Sequence, residues 1–157
     1  LSIELRPVTR ENWRDAISLK VQEDQQSYVP AVAVSLAKIY IKPDGDEVVY
    51  LPFAIYSEGT MVGFMMHAYV ESTRDMYWIN GFLIDATEQK KGYGGAALDL
   101  MMSWIINKFP QCKEIRLTVH QDNKSAKAFY QKRGFAETGT WFGEEEVLVH
   151  RIQEKIR

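Results

Sequence analysis

Two spacings of apolar residues run through this chain, and the places where one replaces the other mark its elements. Ile3 to Val8 reads as a first strand, with Pro7 suited to an edge or strand end. Thr9 can cap a helix from Arg10 to about Val21, with Trp13, Ile17 and Val21 along one face. A polar, acidic stretch from Gln22 to Val29 follows. Pro30 then suits the first turn of a second helix, Ala31 to Tyr40. Beyond the turn-rich run Lys42 to Glu47, the segments Val48 to Tyr56 and Met61 to Val70 are rich in β-branched and aromatic residues. Ser57 to Thr60 join them as a hairpin. Trp78 to Ile84 reads as a third consecutive strand, giving an antiparallel half-sheet.

Past a polar link at Asp85 to Gln89 the period changes. Ala97, Met101, Trp104 and Ile105 recur at helical steps, with Asp99, Ser103 and Asn107 on the other face, so a long helix begins at Gly92, Gly94 and Gly95. Pro110 ends it. Ile115, Leu117 and Val119 alternate with Arg116, Thr118 and His120 in a half-buried strand, Glu114 to His120. Asp122 or Asn123 can cap the next helix, Gly134 can close it in a left-handed turn, and Phe135 to Thr140 with Glu145 to Ile152 form a closing hairpin. The order β-α-α-β-β-β-α-β-α-β-β predicts an α/β chain of mixed α+β type, with a mixed sheet and helices on both faces.

Composition narrows the class. With 157 residues, no repeat and no linker, a single domain over 1–157 is expected. A net charge of −2 lacks the basic excess of a nucleic-acid binder. No apolar run reaches the roughly 20 residues of a membrane helix. No signal-like segment opens the printed sequence, and a cytoplasmic location is expected. The single cysteine, Cys112, sits in a connector and reads as structural, while His67, His120 and His150 give no metal-binding spacing, so no metal centre is expected.

The glycine-initiated helix carries the chemistry. A helix start leaves backbone N–H groups without partners and gathers partial positive charge. Glycines there let a phosphate approach the backbone, and Lys90 and Lys91 add charge, so the corner reads as a pyrophosphate cradle. No P-loop pattern is present. Gly92, Gly94 and Ala97 fit G-x-G-x-x-A, but a dinucleotide fold would continue through several strand-helix units, and one follows here. A glycine-rich turn without a ligand remains open on this segment alone.

Gln89-Lys90-Lys91-Gly92-Tyr93-Gly94 resembles the Q/R-x-x-G-x-G/A signature of the GNAT superfamily of acyl-CoA N-acyltransferases. Asn123-Lys124-Ser125-Ala126-Lys127-Ala128-Phe129-Tyr130-Gln131-Lys132-Arg133-Gly134-Phe135 is similar to that family's N-x-x-A-x-x-F/L-Y-x-x-x-G-F. The resemblance implies a largely antiparallel mixed sheet with two splayed central strands, here Trp78 to Ile84 and Glu114 to His120. It also implies acetyl-CoA as acetyl donor and a small-molecule amine as acceptor, and a homodimer is compatible with it. The diphosphate would lie over the amides of Lys91 to Ala96, among them Gly92, Tyr93, Gly94 and Gly95, beside Gln89 and Lys90. The pantetheine arm would run along Phe82, Leu83 and Ile84, as an added strand does. Asn123 and Ala126 would form the other wall, although Asn123 also serves as a plain helix cap.

The implied reaction is attack of a neutral amine on the thioester, with backbone donors for the oxyanion and a proton for the departing thiolate. Tyr130 is the candidate acid. Its unperturbed pKa near 10 lies above that of a thiol near 8.5, so donation is slightly uphill unless coupled to C–S cleavage. Phe129 and Tyr130 side by side also suit a core. For the base, the strand before the glycines offers Asn80 where related enzymes often place an acid, and Asp85 lies close to the turn. Glu23, His67, His120 or a water relay remain.

The stretch Glu23-Asp24-Gln25-Gln26-Ser27-Tyr28 is similar to the Q-x-Q/D-x-S-Y segment of bacterial spermine/spermidine acetyltransferases, as is Val62-Gly63-Phe64 followed by Met66. Glu23, Asp24 and Tyr28 could hold an ammonium ion by charge and cation–π contact, with Asn80 on the acceptor side. A solvated loop is the plainer account of that stretch. A polyamine is therefore the first acceptor, with an aminoglycoside, an amino acid or a protein N-terminus as enzyme alternatives and a non-catalytic CoA-binding regulatory domain as another class.

Overall fold

The computed structural model describes residues 2–153. Seven strands form one sheet in the order β1-β2-β3-β4-β5-β7-β6. They are β1 (Ile3–Pro7), β2 (Val49–Ser57), β3 (Thr60–Tyr69), β4 (Tyr77–Ile84), β5 (Glu114–His120), β6 (Ala136–Phe142) and β7 (Glu145–Arg151). Every neighbouring pair is antiparallel except β4 and β5, which run parallel. Helices α1 (Trp13–Ile17), α2 (Val32–Ile41), α3 (Tyr93–Lys108) and α4 (Lys124–Lys132) connect them, with short 3₁₀ turns at Glu23–Gln25 and Ala86–Glu88. Among the described residues no helix is long and apolar enough to cross a membrane.

Each face of the sheet has its own core. On one side Ala97, Leu98, Met101 and Ile105 of α3 meet Ile79 of β4, Ile115, Leu117 and Val119 of β5, and Leu148 of β7. On the other, Ala16 and Leu19 at α1 and Val32 of α2 meet Phe64, Met66 and Leu83. Alternation within the strands divides their side chains between these cores.

The first helix differs from its expected extent and face. It covers Trp13–Ile17, and Trp13 and Ile17 are 42% and 39% exposed while Ala16 and Leu19 are buried. Thr9 does not cap it; the Thr9 N–H instead donates to Asn12 Oδ1 at 2.8 Å in a turn ahead of the helix. Its end is set from afar, because the Lys20 N–H donates to Asp85 Oδ1 at 2.9 Å and Gln22 Nε2 donates to the Ala86 carbonyl at 3.2 Å. These tertiary bonds draw the chain out of helix toward the link between β4 and α3.

His67 is fully buried on β3 among Tyr69, Tyr77, Trp104 and Phe109. Nδ1 lies 2.9 Å from the Trp78 carbonyl, so it carries the proton, and burial pushes the imidazole pKa down to about 4. This group is lower in the folded than in the unfolded chain. Its stability contribution is therefore complete above the unfolded value near 6.5 and falls as pH drops toward 4. Between pH 7 and 5 the loss is on the order of 2 kcal/mol. Urea midpoints across that range should show it, and His67→Phe should flatten the slope. An equal slope in the variant would assign the acid sensitivity elsewhere.

Candidate active site

β4 and β5 share a single registered pair, Trp78 with Arg116, and then part. The cause lies in β4, where three steps from Asn80 to Leu83 match two steps of β3 from Met66 to Phe64. The extra residue forms a bulge around Gly81, whose φ of +57° suits glycine. Beyond it the C-terminal halves of both strands line a cavity of about 950 Å³. That lies at the upper end of the roughly 300–1,000 Å³ of small-molecule sites, so a long ligand fits.

The N-terminus of α3 forms one end of this cavity. Gly92 is the N-cap with φ +84°, and Lys90 also takes a left-handed conformation at +64°. Among the described residues the N–H groups of Tyr93, Gly94 and Gly95 have no acceptor, whereas the Ala96 N–H already donates to the Gly92 carbonyl at 3.3 Å. The free donors thus end at Gly95. Arg133 packs its guanidinium onto Gly95, where a Cβ would collide with Nη2, and reaches Asp99 at 3.3 Å. Gln89 Nε2 donates to the Ile84 carbonyl at 3.0 Å and to Gln25 Oε1 at 2.9 Å, so its side chain fastens the loop.

Helix α4 forms the facing wall. The Asn123 side chain caps it by accepting from the Ala126 N–H at 3.4 Å, leaving Nδ2 unengaged among the described residues. Asn123, Ala126 and Tyr130 line the cavity together, as spacings of three and four on one helix face require. Tyr130 packs edge-on against Phe129 and Phe135, so the apolar-core reading holds for its ring. Its hydroxyl has no hydrogen-bond partner among the described residues. Burial pushes the phenol well above its ordinary value.

Phe82, Leu83, Ile84, Gln89, Lys90, Gly92, Tyr93, Gly94 and Gly95 all line this cavity, as do Asn80 and Tyr28. Lys91 and Ala96 do not, and Lys91 pairs with Glu88 at 3.1 Å. Glu23 and Asp24 sit exposed on the 3₁₀ turn and are not part of the lining, although Gln25 of the same turn is. Of the base candidates, His67 is enclosed in the core. His120 reaches the cavity, but its Nδ1 accepts the Asp122 N–H at 3.1 Å and its Nε2 meets Glu144 Oε2 at 2.9 Å. Both ring nitrogens are thus engaged. The Asp85 carboxylate binds the Lys20 N–H and Thr87. Cys112 is buried, and its thiol is pushed up to about 11. Phe142 and Glu145, which no motif singled out, also line the cavity. Finding them requires the sheet order that sets β7 beside β5.

A bulged strand parted from its parallel neighbour, with a glycine-started helix at the opening, is the arrangement that the resemblance to acyl-CoA-dependent transferases implies. Residues 9–135 match the model of the Acetyltransferase (GNAT) family, and the chain belongs to that family. It is an acetyl-CoA-dependent N-acetyltransferase. It is 31% identical to the spermine/spermidine N(1)-acetyltransferase of Bacillus subtilis strain 168, over 97% of this chain and 100% of that one. Spermidine N-acetyltransferase from Vibrio cholerae, solved in complex with CoA and spermine, shares the fold with a TM-score of 0.70 at 19% identity, covering 94% of this chain and 92% of that one. An aminoglycoside acetyltransferase in complex with coenzyme A has a TM-score of 0.72 at 19% identity, covering 96% and 95%. The fold alone therefore leaves the acceptor open.

Proposed function

We propose that this enzyme acetylates a primary amine of a polyamine such as spermidine or spermine, with Tyr130 as the proton donor. The observation that carries the acceptor is its full-length identity with the B. subtilis protein of that name. Acetyl-CoA supplies an activated thioester and a thiolate leaving group.

The chain's own groups fit that donor. The free amides of Tyr93, Gly94 and Gly95, at the positive end of α3, accept a diphosphate, and Lys90 adds charge. The unpaired edge of β4 from Phe82 to Ile84 offers main-chain partners to the amides of the pantetheine arm. Asn123 Nδ2 donates from the opposite wall while Oδ1 keeps capping α4. Tyr130 lines the same space. The amine nitrogen bonds to the carbonyl carbon and gives up a proton to water, the C–S bond of the resulting tetrahedral intermediate then breaks as the phenol proton passes to the leaving sulfur, and the phenolate regains a proton from solvent. With His67 enclosed and His120 engaged on both nitrogens, the acceptor enters as the free amine or loses its proton to water.

Thiol release from acetyl-CoA in the presence of spermine, spermidine, an aminoglycoside, single amino acids and a peptide N-terminus tests this reading. Turnover with the polyamines at kcat/KM at least about tenfold above the others supports it. Turnover confined to another amine removes the polyamine, and acetyl-CoA binding without any turnover favours a regulatory role.

A further inference from the structure

The two faces of the sheet give the cavity two kinds of wall. On β5, Ile115, Leu117 and Val119 enter the core beneath α3, so Thr118 and His120 point to the opposite face, where His120 meets Tyr28 with ring centroids 5.2 Å apart. On β4, Ile79 joins the α3 core and Trp78 the other one. On β7, Leu148 joins the α3 core and Glu146 reaches Lys127 of α4 at 3.0 Å. Alternation therefore turns Glu145 toward the face of Trp78 and Tyr28, and its Oε2 accepts from the Thr118 hydroxyl at 3.3 Å.

Glu145 is a half-buried carboxylate that lines the cavity and has no cationic partner among the described residues. The next residue, Glu146, pairs with Lys127, and Glu88, another carboxylate of the lining, pairs with Lys91. Asp44, the remaining carboxylate of the lining, takes the Tyr50 hydroxyl at 2.5 Å. A carboxylate partly withdrawn from water without a cation is costly, and a cationic ligand removes that cost. Beside it Phe142 is 61% exposed, which no core requires, yet it lines the cavity 6.5 Å from the Trp78 ring. An unpaired carboxylate among aromatic faces is the chemistry of an ammonium site.

We propose that Glu145, with Trp78 and Phe142, holds a second, non-reacting ammonium ion of the acceptor. This rests on the polyamine reading above and names the residue that selects a diamine or polyamine over a monoamine. The held nitrogen cannot be the nucleophile. Contact with a carboxylate favours its charged form, whereas attack needs the neutral amine. The reacting end then lies toward Tyr130, on the α4 side of the gap.

The test is Glu145→Gln, which keeps an oxygen for the Thr118 hydroxyl and removes the charge. Thiol release is followed with spermidine and with butylamine, which lacks a second cation. Expected is a KM for spermidine raised about tenfold, with kcat and the KM for acetyl-CoA within about twofold. Butylamine kinetics stay equal in the two proteins, and failure of wild type to use butylamine supports the same requirement. Phe142→Leu should raise the spermidine KM several-fold and serves as the test if Glu145→Gln does not fold. An unchanged spermidine KM in the variants, an equal shift for butylamine, or a loss confined to kcat overturns the assignment while the polyamine reading stands. Wild type that acetylates no diamine or polyamine overturns both.

Discussion

Tyr130→Phe is expected to lower kcat about 100-fold while leaving the KM for acetyl-CoA within about twofold. Phenylalanine keeps the ring contacts to Phe129 and Phe135, so the folded wall persists and the hydroxyl alone is lost. Tyr130 lines the cavity and its hydroxyl has no acceptor among the described residues, which leaves its proton available to a ligand atom. The sign of its shift matters for pH. Burial raises the phenol, so the neutral, donating form persists past the ordinary value of 10.0. The wild-type rate should therefore rise with pH as free amine accumulates, without a fall near pH 10 from loss of this proton. The raised value also makes the phenol a poorer acid toward a thiol of ordinary pKa near 8.5. Transfer must then accompany C–S cleavage, where the developing thiolate is a stronger base than the intact thioester sulfur. Steady-state thiol release over pH 7 to about 10 checks both parts. A Phe variant of unchanged kcat would return Tyr130 to a packing role.

The order of elements was legible because each depends on local signals. Gly134 does take a left-handed conformation, at φ +88°, the glycine turn does begin α3 at Gly92, and Asn123 does cap α4. The alternation of Ile115, Leu117 and Val119 identified β5 to the residue, since a strand between two cores must put one set of side chains on each side. What stayed hidden depends on partners distant in the chain. The early end of α1 follows from Asp85, 65 positions beyond Lys20, which no helix propensity anticipates. The acidic run at Glu23 and Asp24 looked like a cation site because charge is visible in a sequence and orientation is not. The structure instead sets Glu145 in the cavity, and only the pairing of β7 with β5 brings it beside Thr118. The family signatures report the donor end, where backbone geometry restricts residue type. The acceptor end is assembled from side chains of β4, β5 and the last hairpin.

Gly81→Ala is expected to cost about 2–5 kcal/mol of stability and to weaken acetyl-CoA uptake along with it. Two causes add. At φ +57° any side chain strains the backbone, and a Cβ there would stand 2.6 Å from Ser35 Oγ of α2. Gly59→Ala separates them, because its φ of +83° carries the strain while nothing lies within 4 Å of the added Cβ. It should cost about 1 kcal/mol and leave cofactor uptake intact. Ser35→Ala should restore part of the loss in the double variant, since it removes Oγ and leaves ordinary contacts, 3.5 Å to Ser35 Cβ and 3.7 Å to Phe64 Cε1. Urea denaturation gives the stability term, and the thermal shift at saturating acetyl-CoA gives the second. If Gly81→Ala proves as mild as Gly59→Ala and binds acetyl-CoA unchanged, the gap does not depend on this residue. If both effects appear together, the fit of α2 over one glycine is what holds β4 away from β5, and the packing of one core sets the width of the cavity beside the other.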